Sequence, residues 1–199
     1  MTTVARFIVL EGLDGVGKST LARVLASRLD AQFMSTPGDS FKDIRGLAIA
    51  AFGDDQLAKA LFYTATVSCE GRKAHMTVNQ GRSVVMDRYW ASTVAYAKAR
   101  GVAADLDAIG PHLVSPDIIV LITLDETTRL ARLAQRGMTA EDLETISESF
   151  KQTVLQELEA RTTISVDITD LNQASAAEKV ASAIANYFAR TLRPGGLRP

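Results

Sequence analysis

Cysteine is almost absent: the 199 residues hold one, Cys69. That excludes a disulfide framework within the chain and a zinc site built from several cysteines. Histidine is nearly as scarce. His75 and His112 are the full set, so a histidine-rich metal cluster is excluded too. Positive charge is not in excess, since 22 Lys plus Arg face 23 Asp plus Glu for a formal net charge of −1. A protein that works mainly by coating nucleic acid or anionic membrane needs a large basic surplus. No apolar run approaches the ~20 residues that span a bilayer. The start, Met1-Thr-Thr-Val-Ala-Arg-Phe7, lacks the basic region, long apolar core and cleavage site of a signal peptide, which predicts a cytoplasmic protein. No repeat period and no low-complexity stretch stand out.

What remains is a globular balance, 47% hydrophobic and 23% charged. The length suits one domain over 1–199, with a loose tail at 193–199. Strands and helices alternate. Apolar strands are expected at Phe7–Leu10, Gln32–Ser35, Ser83–Met86, Ile118–Thr123 and Ile164–Ile168. Helices are expected at 19–29, 42–51, 56–79, 91–100, 126–135, 143–160 and 174–191. Continuous apolar strands separated by helices require a parallel sheet covered on both faces. The prediction is an α/β, doubly wound domain with five parallel strands. Ligands in such sheets sit beyond the C-terminal ends of the strands.

The sharpest motif lies at such an end. Gly12-Leu-Asp-Gly-Val-Gly-Lys-Ser19 fits G-x-x-x-x-G-K-[ST] in full, after a strand and before a helix. Gly12, Gly15 and Gly17 let the backbone wrap a phosphate closely. The N–H groups from Gly15 through Thr20 converge on the anion, aided by the helix start. Lys18 adds a point charge for β- and γ-phosphates, and Ser19 offers a hydroxyl to Mg²⁺. An Asn-Lys-x-Asp guanine-reading motif is missing. Asp14 inside the loop is unusual beside a phosphate. It either meets a substrate hydroxyl or a metal-bound water, or it turns to solvent or to Lys18.

Asp87 ends the strand Ser83-Val-Val-Met-Asp87 and can reach the Mg²⁺ shell. Arg88 follows, with a fork suited to a phosphate. Tyr89, Trp90 and Tyr96 place rings beside it, and Ser92 and Thr93 add hydroxyls. The plainer alternative is an Asp-Arg pair capping a core strand. Arg129, Arg132 and Arg136 fall within a roughly 60° arc of one helix. They form either a phosphate-facing stripe or a solvated basic face. The stretch Met138–Ser149 carries Glu141, Asp142, Glu144 and Glu148 and no Lys or Arg. A lid over about 136–149 could exclude water on closing, and its cations must then come from Arg132 or Arg136.

Phe7-Ile-Val-Leu-Glu-Gly-Leu-Asp-Gly-Val-Gly-Lys-Ser-Thr20, Val85-Met-Asp-Arg-Tyr-Trp-Ala-Ser-Thr-Val-Ala-Tyr96 and Pro116-Asp-Ile-Ile-Val-Leu through Arg136-Gly137 together resemble the thymidylate kinase family. The resemblance covers most of residues 5–190. It implies a three-layer P-loop NTPase fold with a short lid. It also implies a homodimeric, Mg²⁺-dependent kinase that moves the γ-phosphoryl of ATP onto a nucleoside monophosphate. Carried over, Lys18 and Ser19 hold ATP and Mg²⁺, with Asp87 at the metal. Asp14 meets the sugar 3′-hydroxyl and Arg88 holds the acceptor phosphate. Phe62 stacks on the base, and Thr93 and Tyr96 line the nucleoside pocket. Pro37, Arg45, Thr66 and Tyr89 complete the acceptor side, while Arg132 and Arg136 serve the donor phosphates.

Three positions depart from the family pattern. Ser35-Thr36-Pro37 stands where the family has Arg-Glu-Pro, Thr66 stands where it has a base-reading arginine, and the lid lacks an arginine. Thr36-Pro37, Ala60-Leu-Phe-Tyr63, Asp87-Arg-Tyr-Trp-Ala-Ser-Thr93 and Arg136-Gly-Met138 look closer to the UMP-CMP kinase 2 branch. The expectation is a pyrimidine monophosphate kinase acting on dTMP or on dUMP, dCMP, UMP or CMP. The alternatives are a kinase for a nucleoside or modified nucleotide, or a non-catalytic nucleotide sensor.

Overall fold

A computed structural model describes residues 4–191. The 193–199 tail lies outside the described residues. Five strands, β1 (Phe7–Glu11), β2 (Gln32–Ser35), β3 (Val84–Asp87), β4 (Ile118–Thr123) and β5 (Ile164–Asp167), form one sheet in the order β2-β3-β1-β4-β5. All pairings are parallel, with Leu10 opposite both Asp87 and Val120. The strand ends Glu11, Ser35, Asp87 and Thr123 therefore share one edge.

Side chains alternate across the sheet. Phe7, Val9, Val84 and Met86 join Val67 and Ala74 of α3 (Gln56–Asn79) in one buried cluster. Ile8, Leu10 and Val85 join Leu21 and Leu25 of α1 (Lys18–Arg28) and Val180 and Ile184 of α8 (Gln173–Thr191) in another. This is the three-layer arrangement that the strand pattern implied. The remaining helices are α2 (Lys42–Phe52), α4 (Trp90–Ala99), α5 (Glu126–Arg136), α6 (Ala140–Glu144) and α7 (Glu148–Glu159). No helix among the described residues is long and apolar enough to cross a membrane.

One element differs from expectation. A single helix over 143–160 is replaced by α6 and α7. Thr139 and Asp142 form a capping box that starts α6 early. The Thr145 carbonyl is taken by the guanidinium of Arg129, which breaks the helical ladder before Ser147 restarts it. The lid segment is thus a short capped helix followed by a turn.

Candidate active site

β1 ends at Glu11, and the chain wraps from Gly12 into α1. Gly12 has φ +150, and a Cβ there would lie 2.5 Å from the Ile122 carbonyl oxygen. Gly17 caps α1 in the left-handed region with no side-chain cap. The first N–H groups of α1 therefore lack the usual side-chain acceptor and face the loop, as an anion site requires. Lys18 is buried, and its Nζ donates to the Leu13 carbonyl at 2.6 Å. Burial, with the nearby Arg88 charge, brings its pKa down to about 8. The free enzyme should therefore lose this charge as pH rises through about 8. The expected result is a kcat/KM for ATP that falls above that pH by about tenfold per unit, while kcat stays flat because bound phosphates hold the proton on. A flat kcat/KM to pH 9.5, read from a pH series as about the upper working limit, would count against it.

Ser19 donates its hydroxyl to the Asp87 carboxylate at the neighbouring strand end. The other carboxylate oxygen, Oδ1, is buried without a hydrogen-bond partner. A buried orphan acceptor is costly and calls for a partner. Among the described residues, no group of three His, Cys, Asp or Glu could cage an ion. A single carboxylate and a hydroxyl suit Mg²⁺, which keeps waters and takes its remaining ligands from substrate phosphates.

Arg88 has φ +64, and its N–H donates to Leu10 O at 3.0 Å, so backbone strain is held by the sheet. Its guanidinium donates to Asp14 and, at 3.0 Å, to Ser92 Oγ. Tyr96 donates its hydroxyl to Asp14 Oδ2 at 2.7 Å. Burial alone would raise the Asp14 carboxyl. Arg88, Lys18 and the Tyr96 hydroxyl outweigh it and hold Asp14 well below the usual carboxylate range. So Asp14 faces neither solvent nor Lys18 as its main partner. It is the hinge between loop and Arg88.

Glu11, which the sequence reading passed over, is fully buried and accepts Tyr89 N–H at 2.9 Å, Ser92 N–H at 3.2 Å and the Ser92 hydroxyl. It caps α4 from another strand. Burial raises its pKa, with Ser92 and Arg88 opposing. The available signal was an acid closing an apolar strand.

A cavity of about 430 Å³ opens beside these groups. Asp14, Ser19, Asp87 and Arg88 border it at one end. Thr93, Tyr96 and Arg100 come from α4 and its cap, and Gln56, Ala60 and Tyr63 from one face of α3. Pro37, Arg45 and Arg136 also line it, as expected from sequence. Phe62, Thr66 and Tyr89 do not. Phe62 turns toward Phe41 and Phe52. Thr66 is fully buried, with its hydroxyl donating to Tyr63 O at 2.8 Å. Tyr89 is buried and donates to Val114 O at 2.9 Å. The aromatic that α3 presents is Tyr63, whose hydroxyl accepts from Arg45 Nε at 3.0 Å.

The arginine stripe also divides. Arg129 is fully buried, so it is neither a solvated face nor a phosphate contact. Arg132 donates to Val16 O at 3.0 Å and supports the loop from behind. Only Arg136 reaches the cavity. The side chain of Val16 sits in the core, and Thr20 is exposed on α1. The acidic lid pairs with cavity arginines from three elements: Glu141 with Arg45 at 3.4 Å, Asp142 with Arg136 at 2.6 Å, and Glu144 with Arg100 at 2.6 Å. Arg23, also on the cavity wall, lies 4.5 Å over the Phe33 ring and has no carboxylate partner among the described residues.

Residues 10–180 match the family model described as thymidylate kinase. The chain belongs to the thymidylate kinase family. It is a nucleoside monophosphate kinase, a phosphotransferase. It is 33% identical over 135 residues to a probable thymidylate kinase of Methanocaldococcus jannaschii, an overlap of 66% of this chain and 71% of that one. It is 31% identical over 176 residues to the thymidylate kinase of Rhizorhabdus wittichii, with 76% and 85% covered. Its fold is similar to the solved thymidylate kinase of Candida albicans, with a TM-score of 0.73, 23% identity and 92% of each chain covered. The thymidylate kinase of Ehrlichia chaffeensis gives 0.69 at 23% identity, over 92% of this chain and 100% of that one.

Proposed function

We propose that this enzyme transfers the γ-phosphoryl of ATP to dTMP, and that its acceptor site also admits other pyrimidine monophosphates. The observation that carries the reading is one cavity bordered by Asp14 of the phosphate loop, by the Ser19–Asp87 pair and by Arg88. Donor and acceptor groups thereby open on the same space, which supports direct transfer between two bound nucleotides.

In this reading Lys18 and the N–H groups of the loop bind the donor β- and γ-phosphates. Ser19 and Asp87 hold Mg²⁺, which when bound neutralises charge on those phosphates. Arg88 orients the acceptor phosphate by its fork, and Arg136 adds positive charge from the lid side as the phosphoryl group passes. Asp14 and Tyr96 offer an acceptor and a hydroxyl to the sugar. Tyr63 takes the base-stacking role expected of Phe62, with Thr93 and Pro37 beside it. The α3 residues on the cavity wall are Gln56, Ala60 and Tyr63, none of them a cation. A base edge met by neutral groups supports acceptance of uracil and cytosine with thymine.

Homodimerisation belongs to the same proposal. Ile44 and Leu47 on α2 and Leu57 and Leu61 on α3 are exposed, Leu47 at 75%, an apolar surface that a second copy would cover. Sedimentation at micromolar concentration is the check.

The function is tested by ADP release from ATP and Mg²⁺ with dTMP, dUMP, dCMP, UMP, CMP and dAMP offered singly. Turnover is expected with dTMP and at least one other pyrimidine, and little with dAMP. Turnover with dTMP alone would remove the broader scope. Silence with all six in a folded protein that binds ATP would sink the assignment.

A further inference from the structure

We propose that Arg129 is a positioning residue that couples the phosphate loop to the lid, so that a donor nucleotide on the loop fixes α6. The inference rests on the reading of the loop as the donor site. Arg129 is the largest fully buried side chain among the described residues. All five of its N–H groups are used. Nε and one amino group donate to the two Glu126 carboxylate oxygens at 2.7 and 2.8 Å. The other amino group donates to Asp14 O and Thr145 Oγ1, both at 3.0 Å. The fifth bond, to Thr145 O, is 3.1 Å.

Three elements therefore meet on one planar group. Glu126 opens α5 and also accepts from Lys151 of α7 at 3.2 Å. Asp14 belongs to the loop, and its side chain holds Arg88 and Tyr96. Thr145 follows α6, and its hydroxyl donates to the carbonyl of Asp142, whose carboxylate holds Arg136. The loop also packs on the arginine stem, because a Cβ on Gly15 would lie 3.1 Å from Arg129 Cγ.

A planar fork with every donor engaged cannot release one partner without disturbing the others. A buried ion pair by itself is weak evidence for stability, whereas fixing one arrangement is its best-attested use. Here the arrangement fixed is the distance between the Asp14 backbone and the end of α6.

The test is amide hydrogen exchange with and without a non-hydrolysable ATP analogue, run beside steady-state kinetics, on the wild type, Arg129→Lys and Thr145→Val. Lysine keeps the charge but has three donors and no fork. Valine removes the hydroxyl that accepts from Arg129 and donates to the Asp142 carbonyl, and leaves the Arg129 bonds to Glu126, Asp14 and the residue 145 carbonyl. In the wild type the analogue should slow exchange at residues 12–20 and at 139–146. In Arg129→Lys the loop should still be protected and KM for ATP should stay within about threefold, while lid protection is lost and kcat falls about tenfold or more. Thr145→Val should lose lid protection with a smaller drop in kcat. A role confined to stability would lower the melting temperature and leave both the protection and kcat of the folded enzyme intact, which overturns the coupling. Protection of the wild-type loop without the lid overturns it alone, whereas no protection at either overturns the donor-site reading as well. If Arg129→Lys does not fold, Thr145→Val decides.

Discussion

Lys18→Ala leaves a folded enzyme whose kcat falls by about 10³-fold, the scale seen when one directed cation or donor is removed from a charge-stabilising site. The side chain sits inside the loop with 5% of its surface exposed, so water cannot replace its charge at the phosphates. Folding should survive. Burial depresses the Lys18 pKa from its ordinary 10.5 to about 8, which means the native state disfavours that charge relative to the unfolded chain. Removing it relieves that cost, against the loss of one bond to Leu13 O. A melting temperature near the wild-type value with activity gone is the expected pair of results. Activity within about tenfold of wild type would mean that the loop is not the donor site.

Arg88→Ala lowers kcat/KM for the acceptor monophosphate by about 10²- to 10³-fold while KM for ATP changes much less. The estimate is the loss of a two-pronged, charge-assisted contact to a phosphate. Arg88→Lys should recover only part of it. An ammonium restores charge but cannot meet a phosphate bidentately while also facing Asp14 and Ser92. The substitution has a second signature. Without the guanidinium, burial pushes the Asp14 carboxyl up from its depressed value. In the wild type Asp14 stays ionised throughout the acidic range used for assay. In Arg88→Ala its protonation should move into that range, and activity should fall more steeply as pH drops. Steady-state kinetics with each nucleotide varied, at two pH values, separates these effects. An unchanged acceptor KM would favour an acceptor that carries no phosphate.

Much of this was legible in the chain. The three central strands were readable because each is a short apolar run, two of them stopped by Glu11 and Asp87, and a parallel sheet buries both faces, while the edge strands β2 and β5 are half polar and were placed by the turns that bound them. The loop was readable because its glycines occupy positions where a side chain would strike Ile122 or strain the backbone. The rotation of α3 was not. Its buried arc includes the polar Thr64, Thr66 and Glu70 while the apolar Leu57 and Leu61 are exposed, so its apolar pattern does not reveal which face meets the cavity. One residue of phase moves the aromatic role from Phe62 to Tyr63. Arg129 was hidden for a different reason. Three arginines in a helical stripe read as a basic surface. The partners that bury this one are a carbonyl 115 residues away and a threonine beyond the next turn. The same contacts explain the division between α6 and α7, where neither glycine nor proline marks a stop.

The acidic lid gives the cavity the character of an ion exchanger. Arg45, Arg100 and Arg136 each already hold a lid carboxylate. An arriving phosphate that takes one of these guanidiniums must elute an acid into water, so its net gain is the difference between two ion pairs. Affinity for any single phosphate is moderated accordingly. After transfer, the displaced carboxylates remain tethered a few ångströms away at high effective concentration. They compete with the products for the same guanidiniums and regenerate the column for the next cycle.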